Sequence, residues 1–184
     1  LNAIIDSLKR TYNIDENRVV LSGSSDGGTG AYYLGMRDTT PFASFLPLNG
    51  FIGVLNNEKD DGHIFPGNLR NKPLFVVNGG QDILYPIRSV ESVIQHLFRA
   101  GVDISYHPQP DAGHNTQWWP TVKDGYEKFV TDHPRNPDPD KLSWEAADLT
   151  NNRAHWLVID EFGATPRDVK LPDANVASPS EQPL

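Results

Sequence analysis

Hydrophobic residues along the first 132 positions follow helical spacing in some stretches and strand-like runs in others. Helical spacing predicts helices over residues 1–12 and 87–100. Small, helix-compatible residues over 27–37 and the stretch 116–132, which is entered through Pro120, predict two more. Short apolar or alternating runs predict four strands, over residues 18–21, 45–50, 73–78 and 102–107. Strands that alternate with helices usually pair in parallel and are covered on both faces. The pattern therefore predicts an α/β fold with a mostly parallel sheet and flanking helices.

The composition changes after residue 133. Residues 134–184 contain seven of the fifteen prolines. Segments 142–148 and 153–160 predict two strands of a β-hairpin, with Trp144 and Trp156 as anchors. The last stretch has four prolines and no aromatic residue, which predicts a disordered tail. We therefore expect a body over residues 1–133, a proline-rich linker with a hairpin over 134–162, and a flexible tail over 163–184.

Composition and charge exclude several classes of protein. The chain has 184 residues, of which 38% are hydrophobic, so it can bury a core. Its 16 basic and 24 acidic side chains give a net charge of −8, which argues against a nucleic-acid partner. Cysteine is absent, which excludes disulfides and thiolate metal ligands. The apolar runs are only a few residues long, so we expect no membrane span.

The segment Gly23-Ser24-Ser25-Asp26-Gly27 follows a predicted strand and precedes a predicted helix. A G-x-S-x-G sequence in that context is typical of a nucleophile elbow, a sharp turn that holds a reactive serine. Only Ser25 has a glycine two residues away on both sides. A glycine-rich turn or a phosphate-binding loop is the alternative interpretation. The phosphate loops, however, require a lysine or a G-x-G-x-x-G spacing that this segment lacks.

A serine nucleophile needs a base, and the base needs a carboxylate that orients it. Asp82 follows the most apolar predicted strand, and His114 lies in the loop after the next strand. The carboxyl ends of parallel strands carry functional groups, so the three loops should meet at one edge of the sheet. Asp111 is an alternative acid, but a carboxylate three residues from His114 more often bonds to its own backbone.

With these positions, residues 1–133 resemble the C-terminal half of an α/β-hydrolase, most closely the esterase and prolyl-oligopeptidase-like branch. In that branch G-x-S-x-G-G elbows, G-x-x-D loops and short G-H loops recur. The resemblance implies that Ser25 is the nucleophile, that His114 is the base and then the acid, and that Asp82 fixes the imidazole. It also implies that the backbone N–H of Asp26 is one oxyanion donor. A small-molecule ester or peptide substrate and an acyl-enzyme follow, with no cofactor and no metal.

The sequence departs from this family at its beginning. A complete member has more strands than the four predicted here, so we expect the chain to be a fragment that lacks the strands before the elbow. No HGGG-like segment is present to give the second oxyanion donor. Loss of one donor costs on the order of 10²–10³ in turnover, so this stretch alone should be poorly active, with an exposed sheet edge at the elbow strand. The resemblance favours an extracytoplasmic location without fixing it.

Other side chains near these positions have two interpretations. Tyr85, Trp118 and Trp119 could line a substrate pocket, whereas core packing is the usual role of paired tryptophans. His63 stands near two aspartates as a possible metal site, although a solvated charge cluster is the more common meaning of such a pattern. The alternative function for the whole chain is a non-catalytic binding module on a hydrolase scaffold. Such a module would have no need of the serine, histidine and aspartate together.

Overall fold

The computed structural model describes residues 1–56 and 64–163. The helices in this part of the chain are α1 (Asn2–Thr11), α2 (Asp26–Arg37), α3 (Ile87–Arg99) and α4 (Trp119–Asp132). The strands are β1 (Leu21–Ser24), β2 (Phe45–Leu48), β3 (Leu74–Gly79), β4 (Ile104–Gln109), β5 (Arg153–Ala154) and β6 (Leu157–Val158). Short 3-10 segments lie at Glu16–Arg18, Ile52–Leu55, Pro66–Asn71 and Leu149–Asn151.

Strands β1 to β4 form one parallel sheet in the order β1-β2-β3-β4. This arrangement confirms the predicted α/β fold class. Strand β1 lies at one edge of the sheet, as expected for the elbow strand. Because all four strands run in the same direction, the loops that follow them emerge at the same edge. Those loops contain Ser25, Asn49, Asp82 and His114.

Helices cover both faces of the sheet. On one face α2 and α3 pack against side chains that include Phe45, Leu74 and Val76. On the other face α4 packs against Leu46, Phe75 and Val77. Neighbouring residues of β3 therefore contribute to opposite cores, and the whole strand is buried. This explains why its sequence is a continuous apolar run rather than an alternating one.

Two elements near the N-terminus differ from the sequence prediction. Strand β1 starts at Leu21 rather than residue 18, because Arg18 ends a 3-10 turn in which the Asp15 side chain accepts from the N–H of Asn17. At its other end, β1 continues past the predicted boundary to Ser24, because Ser24 still pairs with Leu48 of β2. Helix α1 is one residue shorter at each end than predicted, and it contributes only Ile5 to the core.

The C-terminal segment contains a hairpin, but with different strands from those predicted. Residues 142–148 form no strand; the N–H groups of Ser143 and Glu145 donate instead to the side chains of Asn71 and Asn68. The hairpin lies wholly within the second predicted segment, where β5 pairs with β6 around a turn at His155. The proposed division into body, linker and tail remains a prediction, and residues 164–184 lie outside the described part of the chain.

Candidate active site

Ser25 occupies the turn between β1 and α2, with φ 58° and ψ −121°. A positive φ is strained for a residue with a β-carbon, and such strain is concentrated at functional sites. The N–H of Ser25 donates to the Leu48 carbonyl at 2.9 Å, which holds the turn against β2. Gly23 makes the turn possible, since a β-carbon there would lie 2.4 Å from the Gly27 carbonyl oxygen.

Three side chains form a continuous chain of hydrogen bonds at this edge of the sheet. Ser25 Oγ lies 2.7 Å from His114 Nε2, and His114 Nδ1 lies 2.6 Å from Asp82 Oδ2. Because a carboxylate can only accept, the proton belongs on Nδ1, and Nε2 is left to accept from the Ser25 hydroxyl. The three residues that the sequence singled out for this role are thus brought together from three separate loops.

The Asp82 carboxylate is fully enclosed: its side chain has 0% exposure, compared with 17% for His114. Its second oxygen, Oδ1, accepts from the N–H groups of Leu84 at 2.8 Å and Tyr85 at 3.0 Å. These two bonds hold Oδ1, the oxygen that does not face the imidazole, and thereby fix the direction in which Oδ2 points towards His114. Asp82 therefore orients His114 from a rigid position.

The loops that carry Asp82 and His114 are joined through their backbones. The N–H of Gly80 donates to the Gln109 carbonyl at 2.7 Å, and the N–H of Gln81 donates to the Ala112 carbonyl at 2.9 Å. Both bonds lie beyond the last β3–β4 strand pair, so the pairing of the two segments continues into the loops. This contact sets the distance between the carboxylate and the imidazole.

Asp26 provides a backbone donor next to Ser25. It is the first residue of α2, and the N–H groups in the first turn of a helix have no partner within the helix. The Tyr85 hydroxyl donates to Asp26 Oδ1 at 3.3 Å, so the Asp26 carboxylate is tied to the side chain across the site. The Asp26 side chain is therefore bonded to Tyr85, whereas its N–H has no partner within the helix.

The three residues expected to line a substrate pocket lie in different surroundings. The Tyr85 ring stands edge-on to the His114 ring, with 5.2 Å between their centroids. Trp118 is buried in the core under α4, and Trp119 packs edge-on against Tyr126. Trp118 also borders a cavity of about 390 Å³ beside Asn115. A contact between any of them and a substrate remains a prediction.

A second cavity, of about 460 Å³, lies over the first part of α2 and borders Asp26, the residue after Ser25. It is lined by Asp26, Thr29, Gly30, Tyr33, Val54 and Leu55. Two apolar side chains that directly follow Asp82, Ile83 and Leu84, are strongly exposed. The sequence analysis did not single out any of these apolar residues, because surface leucine and valine carry no signal on their own.

Asn49 is a further residue of the site that the sequence analysis missed. It follows the last residue of β2, as Asp82 and His114 follow β3 and β4, and its side chain bonds to the backbone of Asn115 and of Gly79, the last residue of β3. The signal that could have found it is the Asn49-Gly50 pair. An amide residue and a glycine together at the carboxyl end of a buried strand mark a special turn at the functional edge.

Within residues 1–56 and 64–163, no group of three or more histidine, aspartate or glutamate side chains has metal-binding geometry. The possible metal site at His63 lies outside the described residues. In the same two ranges, the helices are all too short or too polar to cross a lipid bilayer.

A curated protein is similar to this chain in sequence. No protein-family model matches this chain. The similar protein is the bifunctional acetylxylan esterase/xylanase XynS20E of Neocallimastix patriciarum, which is 28% identical over 174 residues. The similarity covers 90% of this chain and 24% of that protein. The chain thus spans about a quarter of the length of this relative.

Several solved structures share the architecture. Esterase PE8 has a TM-score of 0.55 and 22% identity, over 71% of this chain and 57% of that one. A thermostable esterase has a TM-score of 0.57 and 22% identity, over 72% and 35%. The S-formylglutathione hydrolase FrmB from Staphylococcus aureus has a TM-score of 0.54 and 20% identity, over 69% and 57%. The chain therefore has the α/β-hydrolase fold that its motifs resemble.

Proposed function

We propose that this chain, with its α/β-hydrolase fold, carries the catalytic residues of a serine hydrolase that cleaves carboxylic esters through an acyl-enzyme. The observation that carries the proposal is the continuous hydrogen-bonded chain from Ser25 through His114 to Asp82. A nucleophile, a base and an orienting acid need these contacts at this range. A binding module would have no use for a serine held at φ 58° against an imidazole.

The first half of the reaction transfers the acyl group to the enzyme. His114 Nε2 accepts the Ser25 hydroxyl proton while Oγ attacks the ester carbonyl, and the carbonyl π electrons move to its oxygen. The Asp26 N–H donates to that oxyanion. When the carbonyl re-forms, the bond to the alcohol breaks, and the imidazolium returns its proton to the leaving oxygen. Asp82 stabilises the imidazolium throughout and remains a deprotonated carboxylate.

The second half releases the acid. A water molecule gives a proton to His114 Nε2 and attacks the acyl carbon, which forms a second oxyanion at the same position. Collapse breaks the bond to Ser25 Oγ, and Oγ recovers the proton from the imidazolium. The products are a carboxylic acid and an alcohol, and the enzyme returns to its starting protonation state.

We propose an ester rather than a peptide as the substrate, with acetylated polysaccharide as the first candidate. Support comes from the acetylxylan esterase named in the similar curated protein and from the esterases among the structural neighbours. The cavity of about 460 Å³ that borders Asp26, the residue after Ser25, offers room for a small acyl group or part of the alcohol. Hydrolysis of peptides by the same three residues is the competing outcome.

The test is active-site labelling followed by a substrate comparison. A fluorophosphonate probe should label Ser25, as located by peptide mass spectrometry, and labelling should disappear in Ser25→Ala and His114→Ala. Ser24→Ala is the matched control, since Ser24 is the neighbouring exposed serine, and it should keep the label. Unlabelled wild-type protein should release acetate from 4-nitrophenyl acetate and acetylated xylan faster than it cleaves peptide 4-nitroanilides. Labelling that persists in both alanine variants would reject the assignment of Ser25.

A further inference from the structure

We propose that Asn49 is a positioning residue for His114, which fixes the loop of the imidazole relative to the loop of the carboxylate. This inference rests on the proposed function, because it gives Asn49 a part in the Ser25–His114–Asp82 arrangement. It assigns Asn49 no contact with a substrate. Its role is to hold the His114 loop at a fixed distance from the end of β3, the strand that leads to Asp82, through a single side chain.

Asn49 stands at a fixed point of the sheet. It follows the last residue of β2, and its N–H donates to the Val77 carbonyl of β3 at 2.7 Å. The residue is 1% exposed and has φ 47°, in the left-handed region that asparagine tolerates better than most residues with a side chain. This backbone conformation is set by neighbours in the sheet, so the starting point of the side chain is defined.

The Asn49 side chain bonds at once to the His114 loop and to the end of β3, the strand that leads to Asp82. Its Nδ2 donates to the carbonyl of Asn115 at 2.8 Å, and Asn115 directly follows His114. Its Oδ1 accepts from the N–H of Gly79 at 3.2 Å, three residues before Asp82. The amide is thus a cross-link between the segment that carries the base and the segment that carries the acid.

This double role requires an amide of this length. An aspartate would keep an acceptor for Gly79 but would place a second oxygen against the Asn115 carbonyl. A glycine would fit the positive φ but would remove both bonds. In either case the carbonyl next to His114 loses its donor inside the protein. The His114 loop then has one fewer restraint on its position relative to Ser25 and Asp82.

The expected consequence is a loss of turnover with little change in apparent substrate affinity. A misplacement of about 1 Å at a reacting group can lower the rate about 100-fold. We therefore expect Asn49→Gly and Asn49→Asp to lower kcat by about 10- to 100-fold and to change KM less than about threefold, because Asn49 contacts no substrate.

Asn68 provides a matched control. It is also fully buried, and its amide also bridges two segments, since Nδ2 donates to the Met36 and Glu145 carbonyls at 2.7 and 2.9 Å. These bonds attach the C-terminal segment to the body and do not involve the His114 loop. Asn68→Gly should therefore lower the melting temperature as much as Asn49→Gly or more, while kcat stays near that of the wild type.

The experiment uses the 184-residue chain in four forms: wild type, Asn49→Gly, Asn49→Asp and Asn68→Gly. It measures thermal melting, kcat and KM on 4-nitrophenyl acetate, and the downfield proton NMR resonance of the His114 Nδ1–H. Both Asn49 variants should broaden or shift that resonance and lower kcat, whereas Asn68→Gly should change neither. Equal effects of Asn49→Gly and Asn68→Gly on kcat and on the resonance would overturn the inference.

The NMR measurement separates this inference from the proposed function. If the wild type carries the resonance but takes up no fluorophosphonate label, the proposed function fails. The dependence of the resonance on Asn49 can still be measured in that case. If the wild type is labelled and both Asn49 variants keep its kcat and its resonance, the proposed function stands and the role of Asn49 is rejected.

Discussion

Gly79 and Gly113 bring the backbones of two loops so close that a β-carbon on residue 79 would lie 2.3 Å from the Gly113 carbonyl oxygen. Gly79 ends β3 just before Asp82, and Gly113 directly precedes His114. A methyl group between them has no room unless one backbone moves. The absence of a side chain at residue 79 is therefore a condition for the short contact between His114 and Asp82.

Gly79→Ala should separate these two loops and lower kcat/KM by about 10-fold or more, because the His114–Asp82 contact depends on their spacing. The matched control is Gly125→Ala in α4, where the nearest atom to a new β-carbon is in the Phe75 ring at 4.0 Å. That change should leave activity intact and stabilise the protein by about 0.5–1 kcal/mol. Steady-state kinetics and thermal melting on both variants check the prediction, and an active Gly79→Ala enzyme would contradict it.

Asp82→Asn tests which carboxylate orients His114. The N–H groups of Leu84 and Tyr85 will keep the new amide oxygen, so the NH₂ group will face His114 Nδ1. His114 Nδ1 must then accept a hydrogen bond from the NH₂ group, so the imidazole proton moves to Nε2. A protonated Nε2 can no longer take the proton of Ser25. We expect kcat/KM to fall roughly 10³–10⁴-fold, by analogy with the same change in other triads.

The control for that change is Asp111→Asn, which alters the competing carboxylate in the histidine loop. Asp111 is exposed, and the imidazole already has its carboxylate partner in Asp82. We expect Asp111→Asn to retain activity within about threefold of the wild type, since a surface change of this kind is usually small in effect. A large loss in Asp111→Asn together with an active Asp82→Asn enzyme would reverse the assignment.

The predictable part of this molecule is the part that a short sequence pattern encodes. The buried run in β3 and the helical spacing of α3 determine their own elements, and Gly23 and Gly28 mark the turn around Ser25 because a β-carbon at either position would clash with backbone atoms. Since parallel strands place their following loops at one edge, the meeting of Ser25, Asp82 and His114 could be expected from order alone.

The unpredictable part depends on partners far away in the sequence. Residues 142–148 have strand-like composition, but side chains of Asn68 and Asn71 satisfy the backbone there and replace a β partner. Helix α1 has an apolar stripe that is largely exposed, and no local pattern shows whether another element covers such a stripe. Asn49 likewise acts through Asn115, 66 positions away, so nothing in its immediate neighbourhood shows what it bonds to.

His155 makes stability depend on pH in the acid range. Burial, followed by the positive charge of Lys72, lowers the pKa of His155 below its usual 6.5, although its bond to the Pro137 carbonyl acts in the opposite direction. The unfolded chain therefore binds the proton more tightly. The stability that the neutral residue provides is present above pH 6.5 and is lost as the pH falls towards and through the lowered pKa.

His155→Asn should reduce that loss, because asparagine tolerates the φ of 50° and can donate to Pro137 but does not titrate. The test compares the melting temperatures of wild type and variant at pH 7.5 and pH 5. The wild type should lose more between the two values than the variant does. An equal loss in both proteins would show that His155 does not contribute to the pH dependence.

Lys72 should destabilise the native protein at neutral pH. The residue is 5% exposed, and burial, with the positive charge of Arg135 as a second cause, lowers its pKa to about 8 from 10.5. Below pH 8 Lys72 is charged in the folded and the unfolded state, so the folded state bears the full cost of burying the charge. Above pH 10.5 the lysine is neutral in both states, and this cost disappears. Lys72→Met should therefore raise the melting temperature by about 2–8 °C at pH 7. The advantage should shrink at pH 9.5, whereas an advantage that is constant with pH would show that packing rather than charge is responsible.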